Sequence, residues 1–213
     1  MNLKINEIYY SIQGESSYSG LPCVFIRLTY CNLRCSYCDT EYAFYEGKDI
    51  SIKEIIRKVN SYKCNLVEIT GGEPLLQKNC IELINQLEKN NKKVLIETGG
   101  SLPIKNISKN THIILDLKCP SSNMESKNLW DNLDYIKKTD EIKFVIGNKA
   151  DYDWVKKIIK KHNLEKKCLL LISPVHDKID KEKIINWILK DNLKIRFQIQ
   201  LHKEIWDKDK KGV

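Results

Sequence analysis

The sequence predicts an α/β fold: a partial, incomplete TIM-like barrel of parallel strands with helices outside. Three observations carry this. Short apolar runs alternate with amphipathic stretches along the 213 residues. Most of the runs are continuous rather than strictly alternating, as in parallel strands buried on both faces. The connections are short, as in βαβ units. About six or seven such units approach a barrel, where ligands gather at the C-terminal ends of the strands.

The expected strands are residues 24–29, 66–70, 94–98, 113–116, 142–146, 169–172 and 195–199. Between them lie four helical stripes. Ile52, Ile55, Ile56 and Val59 form the first, and Ser51 with Glu54 makes a capping box at its start. Cys80, Leu83, Ile84 and Leu87 form the second. Trp154, Val155, Ile158 and Ile159 form the third, and Ile184, Ile185, Ile188 and Leu189 the fourth. No internal repeat, low-complexity tract or Pro/Gly/Ser linker divides the chain, so residues 1–213 read as one domain.

Composition narrows the class. A 42% hydrophobic share with 30% charged residues is globular, and a chain of this length buries a core without disulfide staples. No apolar run approaches the roughly 20 residues of a membrane span. The start lacks the apolar core of a signal peptide, so a reducing, cytoplasmic setting is expected and the eight cysteines read as thiols. The net charge is +8, but only four of the 36 basic residues are arginine. Scattered lysines opposite apolar stripes are a solvated surface rather than a nucleic-acid groove.

Cys31, Cys35 and Cys38 follow the first strong strand with C-x3-C-x2-C spacing. Structural zinc and ordinary cubane clusters take four protein ligands. No fourth thiol is near, because Cys23 begins the strand whose end carries the loop. Cys64, Cys80, Cys119 and Cys168 are isolated and read as small buried hydrophobes. Half of a zinc ribbon is the competing reading, but the chain has no second C-x2-C. Thr70-Gly71-Gly72-Glu73-Pro74 follows another strand, and its glycines permit close backbone approach to a ligand. A plain strand–helix turn is the bland alternative for this second motif.

Taken together, the two motifs resemble the radical S-adenosylmethionine (SAM) superfamily, Tyr37 supplying its aromatic residue before the last cysteine. The resemblance implies a radical SAM core and a [4Fe–4S] cluster on Cys31, Cys35 and Cys38, with one iron open to SAM. Reduction of that cluster cleaves SAM and yields a radical that abstracts a substrate hydrogen. Gly72 and Glu73 would meet the methionine amino group.

Flanking residues narrow the resemblance. Ile12-Gln13-Gly14-Glu15, Arg27, Asp39-Thr40, Thr70, the segment Gln200-Leu201-His202-Lys203 and Trp206 occur in order along nearly the whole chain. This set is similar to the 7-carboxy-7-deazaguanine synthases of queuosine and 7-deazapurine biosynthesis. That family converts 6-carboxy-5,6,7,8-tetrahydropterin to 7-carboxy-7-deazaguanine with loss of ammonia, using SAM, the cluster and Mg²⁺. The resemblance implies that Ile12, Gln13, Gly14, Glu15, Arg27, Thr70 and His202 bind the pterin, and that His202 positions it or moves a proton. It places Tyr37, Cys38, Asp39, Gly72, Glu73, Asp116, Lys118, Ser173, Pro174, Val175 and His176 on SAM, and Thr40 on Mg²⁺. It also implies a flavodoxin or ferredoxin electron donor and a homodimer. Singly, each residue has an ordinary alternative: Arg27 as a paired strand residue, His202 as a strand-end cap, Thr40 as a turn residue.

The chain departs from the family pattern at Ser16 and Ser17, at Gly99, and at Leu117 before Lys118. The charged tail, residues 207–213, reads as mobile, with no role assigned to Val213. Two other functions remain open at this stage. A glycyl-radical activating enzyme shares the cysteine spacing but has no use for Gln13, Arg27, Thr40 and His202 together. A non-catalytic zinc or iron–sulfur module needs only the thiols.

Overall fold

The structure, a computed structural model, describes residues 1–207 and 210–213. Within these residues one nine-stranded sheet organises the chain. Its strands are β1 (Asn2–Ile12), β2 (Pro22–Leu28), β3 (Lys48–Ser51), β4 (Leu66–Gly71), β5 (Lys93–Thr98), β6 (His112–Asp116), β7 (Glu141–Ile146), β8 (Leu169–Pro174) and β9 (Arg196–Phe197). The helices are α1 (Ile52–Ser61), α2 (Cys80–Lys89), α3 (Lys149–His162), α4 (Lys181–Asp191) and α5 (Leu201–Ile205).

The spatial order is β3-β1-β2-β4-β5-β6-β7-β8-β9. From β2 to β9 every pairing is parallel, and the sheet stays open. The expected α/β class and its incomplete barrel are both found. Continuous apolar runs make these strands because both faces are covered: β6 is buried at every residue.

Two features differ from the sequence expectation. β1 is an 11-residue strand, antiparallel to β2 and β3. Its alternation of buried Leu3 and Ile5 with polar Asn2, Lys4 and Asn6 is the period-2 signature of a one-sided strand. The last expected strand shrinks to Arg196–Phe197. The strand–helix alternation is interrupted: as the four expected stripes imply, the β5–β6 and β6–β7 crossovers contain no α-helix, and the second is built instead from 3-10 turns, including Pro120–Ser122 and Trp130–Asp134.

Helix ends follow local chemistry. Ser51 Oγ accepts from Glu54 N at 3.2 Å while Glu54 Oε2 accepts from Ser51 N at 3.1 Å, completing the capping box. Asn163 and Asn192 end α3 and α4 in the left-handed conformation, which asparagine tolerates. The apolar stripe of α1 buries Ile52, Ile55 and Val59 against the sheet; each such side chain contributes roughly 1.5–3 kcal/mol. Ile55→Asp would place an unpaired charge in that layer and unseat the helix.

The loop between β1 and β2 crosses from one side of the open sheet to the other. Gln13 and Leu21 hold its base, with Gln13 N donating to Leu21 O at 2.8 Å. Ser16 N donates to Gln198 Oε1 at 2.7 Å, and Gln198 Nε2 donates back to Ser16 O at 2.7 Å. Ser17 N donates to Glu141 Oε1 at 2.9 Å, and Leu201 N to Gly14 O at 2.9 Å. The residues after β9 are thus tied to the N-terminal hairpin by loop contacts rather than by a strand ladder.

Candidate active site

The parallel strands end around a cavity of about 810 Å³. Almost all the residues singled out from the sequence line it. Ile12, Gln13, Gly14, Glu15, Arg27, Thr70 and His202 are there. So are Cys31, Cys35, Cys38, Tyr37, Asp39 and Thr40, together with Gly72, Asp116, Lys118, Val175 and His176. Strand geometry explains the convergence: Arg27 pairs with Thr70, and Asp116 with Lys143, near the C-terminal ends of neighbouring strands.

The three motif thiols are half-buried and free, on the loop that leaves β2. Burial pushes all three above the ordinary thiol range. Among the described residues, no three His, Cys, Asp or Glu converge as a single-ion site. Half-open thiols along a cavity wall suit a larger cluster better than closed tetrahedral zinc. The glycine loop packs directly on this wall. A Cβ at Gly72 would lie 2.4 Å from Tyr30 O and 2.7 Å from Cys31 Cβ. No side chain fits there, so backbone stays within reach of whatever the thiols hold. Of the other five cysteines, Cys23, Cys64, Cys80 and Cys119 are buried packing, and Cys168 is half-buried.

Glu73 requires a correction. It is fully buried and does not line the cavity. Its carboxylate accepts from Thr98 Oγ1 at 2.8 Å, Gly99 N at 2.8 Å and Leu75 N at 3.1 Å. Those bonds fix the glycine turn to the end of β5 and occupy the carboxylate with protein donors. Ser173 and Pro174 close β8 beneath the cavity rather than lining it, although Ser173 Oγ is buried without a hydrogen-bond partner.

Arg27 is a paired strand residue that also lines the cavity. Its Nε donates to Glu7 Oε1 at 2.7 Å and its Nη2 to Tyr9 Oη at 3.1 Å, yet the guanidinium still lines the cavity. Burial raises the Tyr9 phenol to about 12, so the hydroxyl stays protonated beside the cation. Thr40 Oγ1 donates to Asp39 Oδ1 at 2.9 Å, and Asp39 Oδ2 is paired with Lys203 of α5. Thr40 and Asp39 therefore present oxygens to the cavity, the donor type Mg²⁺ prefers. His202 sits against Gly14 so closely that a Cβ there would lie 2.2 Å from Nδ1. Burial pushes its imidazole below the ordinary value, against the pull of Glu15 and Asp39.

The sequence reading missed a buried charge network on the cavity floor. Lys143 of β7 bonds Glu15 Oε2 at 2.7 Å, contacts Glu97 Oε1, and lies 4.0 Å from Asp116 Oδ2. Lys118 Nζ bonds the same Asp116 oxygen at 2.8 Å. Burial opposes the Lys143 charge, but Glu15, Glu97 and Asp116 hold its pKa well above normal. Burial would likewise raise Glu15, and Lys143 holds it down instead. Glu68 of β4 accepts from Gln13 Nε2 on the same floor. One signal was available: Glu68, Glu97 and Lys143 are charged residues inside otherwise apolar buried strands.

Residues 208 and 209 of the charged tail lie outside the described residues. Lys210, Lys211, Gly212 and Val213 line the cavity, and Lys211 Nζ stands 4.3 Å from the Tyr42 ring centroid. Among the described residues no helix is long and apolar enough to cross a membrane.

An open, mostly parallel sheet with three thiols and a glycine turn at its C-terminal edge defines a class of enzyme. The sequence profile of the Radical SAM superfamily matches residues 25–188, and the chain belongs to that superfamily. Within it, the chain is 43% identical to a 7-carboxy-7-deazaguanine synthase of Koribacter versatilis, over 99% of this chain and 100% of that one. It is 42% identical to the protein of the same name from Chlorobaculum tepidum, over 99% and 97%. The chain belongs to the 7-carboxy-7-deazaguanine synthase family. A crystal structure of QueE from Escherichia coli shares the fold, with TM-score 0.78 over 95% of each chain at 24% identity.

Proposed function

We propose that this chain is a radical SAM enzyme that converts 6-carboxy-5,6,7,8-tetrahydropterin to 7-carboxy-7-deazaguanine with loss of ammonia. The observation that carries this is the sharing of one cavity by the cysteine loop, the Gly72 turn, Arg27, Thr40, Thr70 and His202. When bound, the cluster on Cys31, Cys35 and Cys38 and its SAM supply the one-electron chemistry that removes a substrate hydrogen. The chain's own residues bind and orient. Gln13 and Thr70 offer paired donors and acceptors to the pterin edge. Arg27, held by Glu7, offers a fixed positive charge to the substrate carboxylate. Thr40 would hold a Mg²⁺ through its hydroxyl oxygen, and the ion would supply positive charge to the substrate carboxylate there. Gly72, Asp116 and Lys118 stand around the SAM position, together with Val175 and His176. His202, neutral because of its burial, takes up or returns a proton at the ring.

The glycyl-radical and zinc-module alternatives lose their ground, since full-length family relatives cover the substrate residues as well as the thiols. For its electrons the enzyme uses a flavodoxin or ferredoxin, and it acts as a homodimer in the cytoplasm; family membership is the support for these three statements. The test is anaerobic turnover of the reconstituted, reduced protein with SAM and 6-carboxytetrahydropterin, read by mass spectrometry. The expected product is 7-carboxy-7-deazaguanine in excess over 5′-deoxyadenosine, because loss of ammonia alone accounts for the change and the abstracted hydrogen must be returned to the substrate. Formation of 5′-deoxyadenosine with no deazapurine would overturn the substrate assignment.

A further inference from the structure

Glu68 has no place in the chemistry described so far, yet it lies on the floor of the same cavity, 3% exposed. It is the third residue of β4, two before Thr70, and so on the same face of the strand. We propose that Glu68 is a specificity-determining residue that reads the pyrimidinone edge of the substrate as a neutral carboxylic acid, oriented by Gln13.

Geometry fixes the orientation. Gln13 Oε1 accepts from Glu15 N at 3.0 Å. The amide of Gln13 is therefore not free to flip, and its Nε2 must face Glu68 Oε2. That oxygen is an acceptor. The proton of the acid then belongs on Oε1, which is left for the cavity. A neutral carboxyl offers one donor and one acceptor side by side. The N1 side of a 2-amino-4-pyrimidinone offers the complement, an amino donor beside a ring nitrogen acceptor, whereas its N3 side offers two donors. A carboxylate would present acceptors alone.

The charge count around Glu68 keeps it neutral. Glu15, Glu97 and Asp116 share the floor with two ammonium groups, Lys118 and Lys143, which they already occupy. Glu68 would be a fourth carboxylate against two cations. The charged groups that face it are Glu15 on the loop after β1, Glu97 on β5 and Lys143 on β7; Tyr9 of β1 and Cys23 of β2 are the titratable neighbours that feel its charge. Burial, then Glu97 and Glu15, raise its pKa well above the carboxylate range, against Lys143 and the Gln13 bond. The sign follows. The competent, protonated form is present at neutral pH and is lost as pH rises through that raised value.

This inference rests on the pterin reading above, and wild-type turnover is its control. The experiment compares Glu68→Gln and Glu68→Val with wild type in steady-state kinetics against pH, with SAM binding measured separately by equilibrium titration. Glu68→Val removes both hydrogen bonds and should raise KM for 6-carboxytetrahydropterin by about tenfold or more, with SAM affinity unchanged. Glu68→Gln keeps a donor and an acceptor without a titrating proton. It should return KM to within about threefold of wild type and abolish the alkaline fall in kcat/KM that Glu68 causes. KM unchanged in Glu68→Val overturns the proposal. KM raised as far in Glu68→Gln as in Glu68→Val overturns the neutral-acid form of it. A wild-type protein that makes no deazapurine overturns the substrate reading itself.

Discussion

His202 depends on the smallest residue near it. Gly14 has no room for a methyl group, since Nδ1 of His202 and the backbone N of the same residue occupy the space. Gly14→Ala should displace the imidazole by around an ångström and lower kcat on the order of 10²-fold, with the circular dichroism spectrum unchanged. A second residue-scale prediction concerns Glu73. Its carboxylate satisfies Leu75 N, Gly99 N and Thr98 Oγ1 in a fully buried site. Glu73→Ala should cost about 2–4 kcal/mol in urea unfolding, because it leaves buried donors unpaired. Loss of SAM affinity with full stability retained would show that the carboxylate serves the cofactor after all.

Between elements, the loop from Gln13 to Leu21 does the work that a closing strand does in a full barrel. Its reciprocal bonds with Gln198 join residues 182 positions apart. Gln198→Ala should remove about 1–2 kcal/mol of stability and expose the Ser16 amide to hydrogen exchange. KM for the pterin should rise while SAM affinity stays the same, since Gln13, Gly14 and Glu15 ride on this loop. Unaltered exchange at Ser16 would mean that other contacts hold the loop.

What could be read from sequence divides along the same line. Continuous apolar runs gave β2 and β4 to β8 because those strands are covered on both faces. The capping box at Ser51 was visible because its two partners are three residues apart. β1 escaped because polar residues alternate with its buried ones and it lies near the sheet edge. The site divides likewise. The motif-borne residues around Cys31 and Gly72 could be found, being close in sequence. The pairing in the Lys143 network could not, although charges inside apolar strands flag its members, because Glu15, Glu97 and Asp116 reach that lysine only through sheet order. The role of Glu73 also needed coordinates, since its partners sit on the next strand.

Over the whole molecule, the excess of lysine acquires a local meaning. Exposed Lys178, Lys210 and Lys211 stand at the cavity lining, while Lys118 and Lys143 below are already paired. The exposed ammonium groups at the rim attract an anionic substrate by long-range steering, which salt screens over about 10 Å at 0.1 M. Raising ionic strength should lower kcat/KM for the carboxypterin severalfold and leave kcat nearly constant. A kcat/KM indifferent to salt would remove any steering role for this rim.

The clasp between Ser16 and Gln198 also orders events during synthesis. Ribosomes make the chain from its N-terminus, so the cysteine loop and most of the strands beneath it emerge long before Gln198, Leu201 and His202. Until those residues arrive, the loop over the cavity lacks its bonds to Gln198 and Leu201 and is held across the sheet by Ser17 and Glu141. Chain order therefore makes the wall carrying Gln198, Leu201 and His202 the last part of the cavity to be completed.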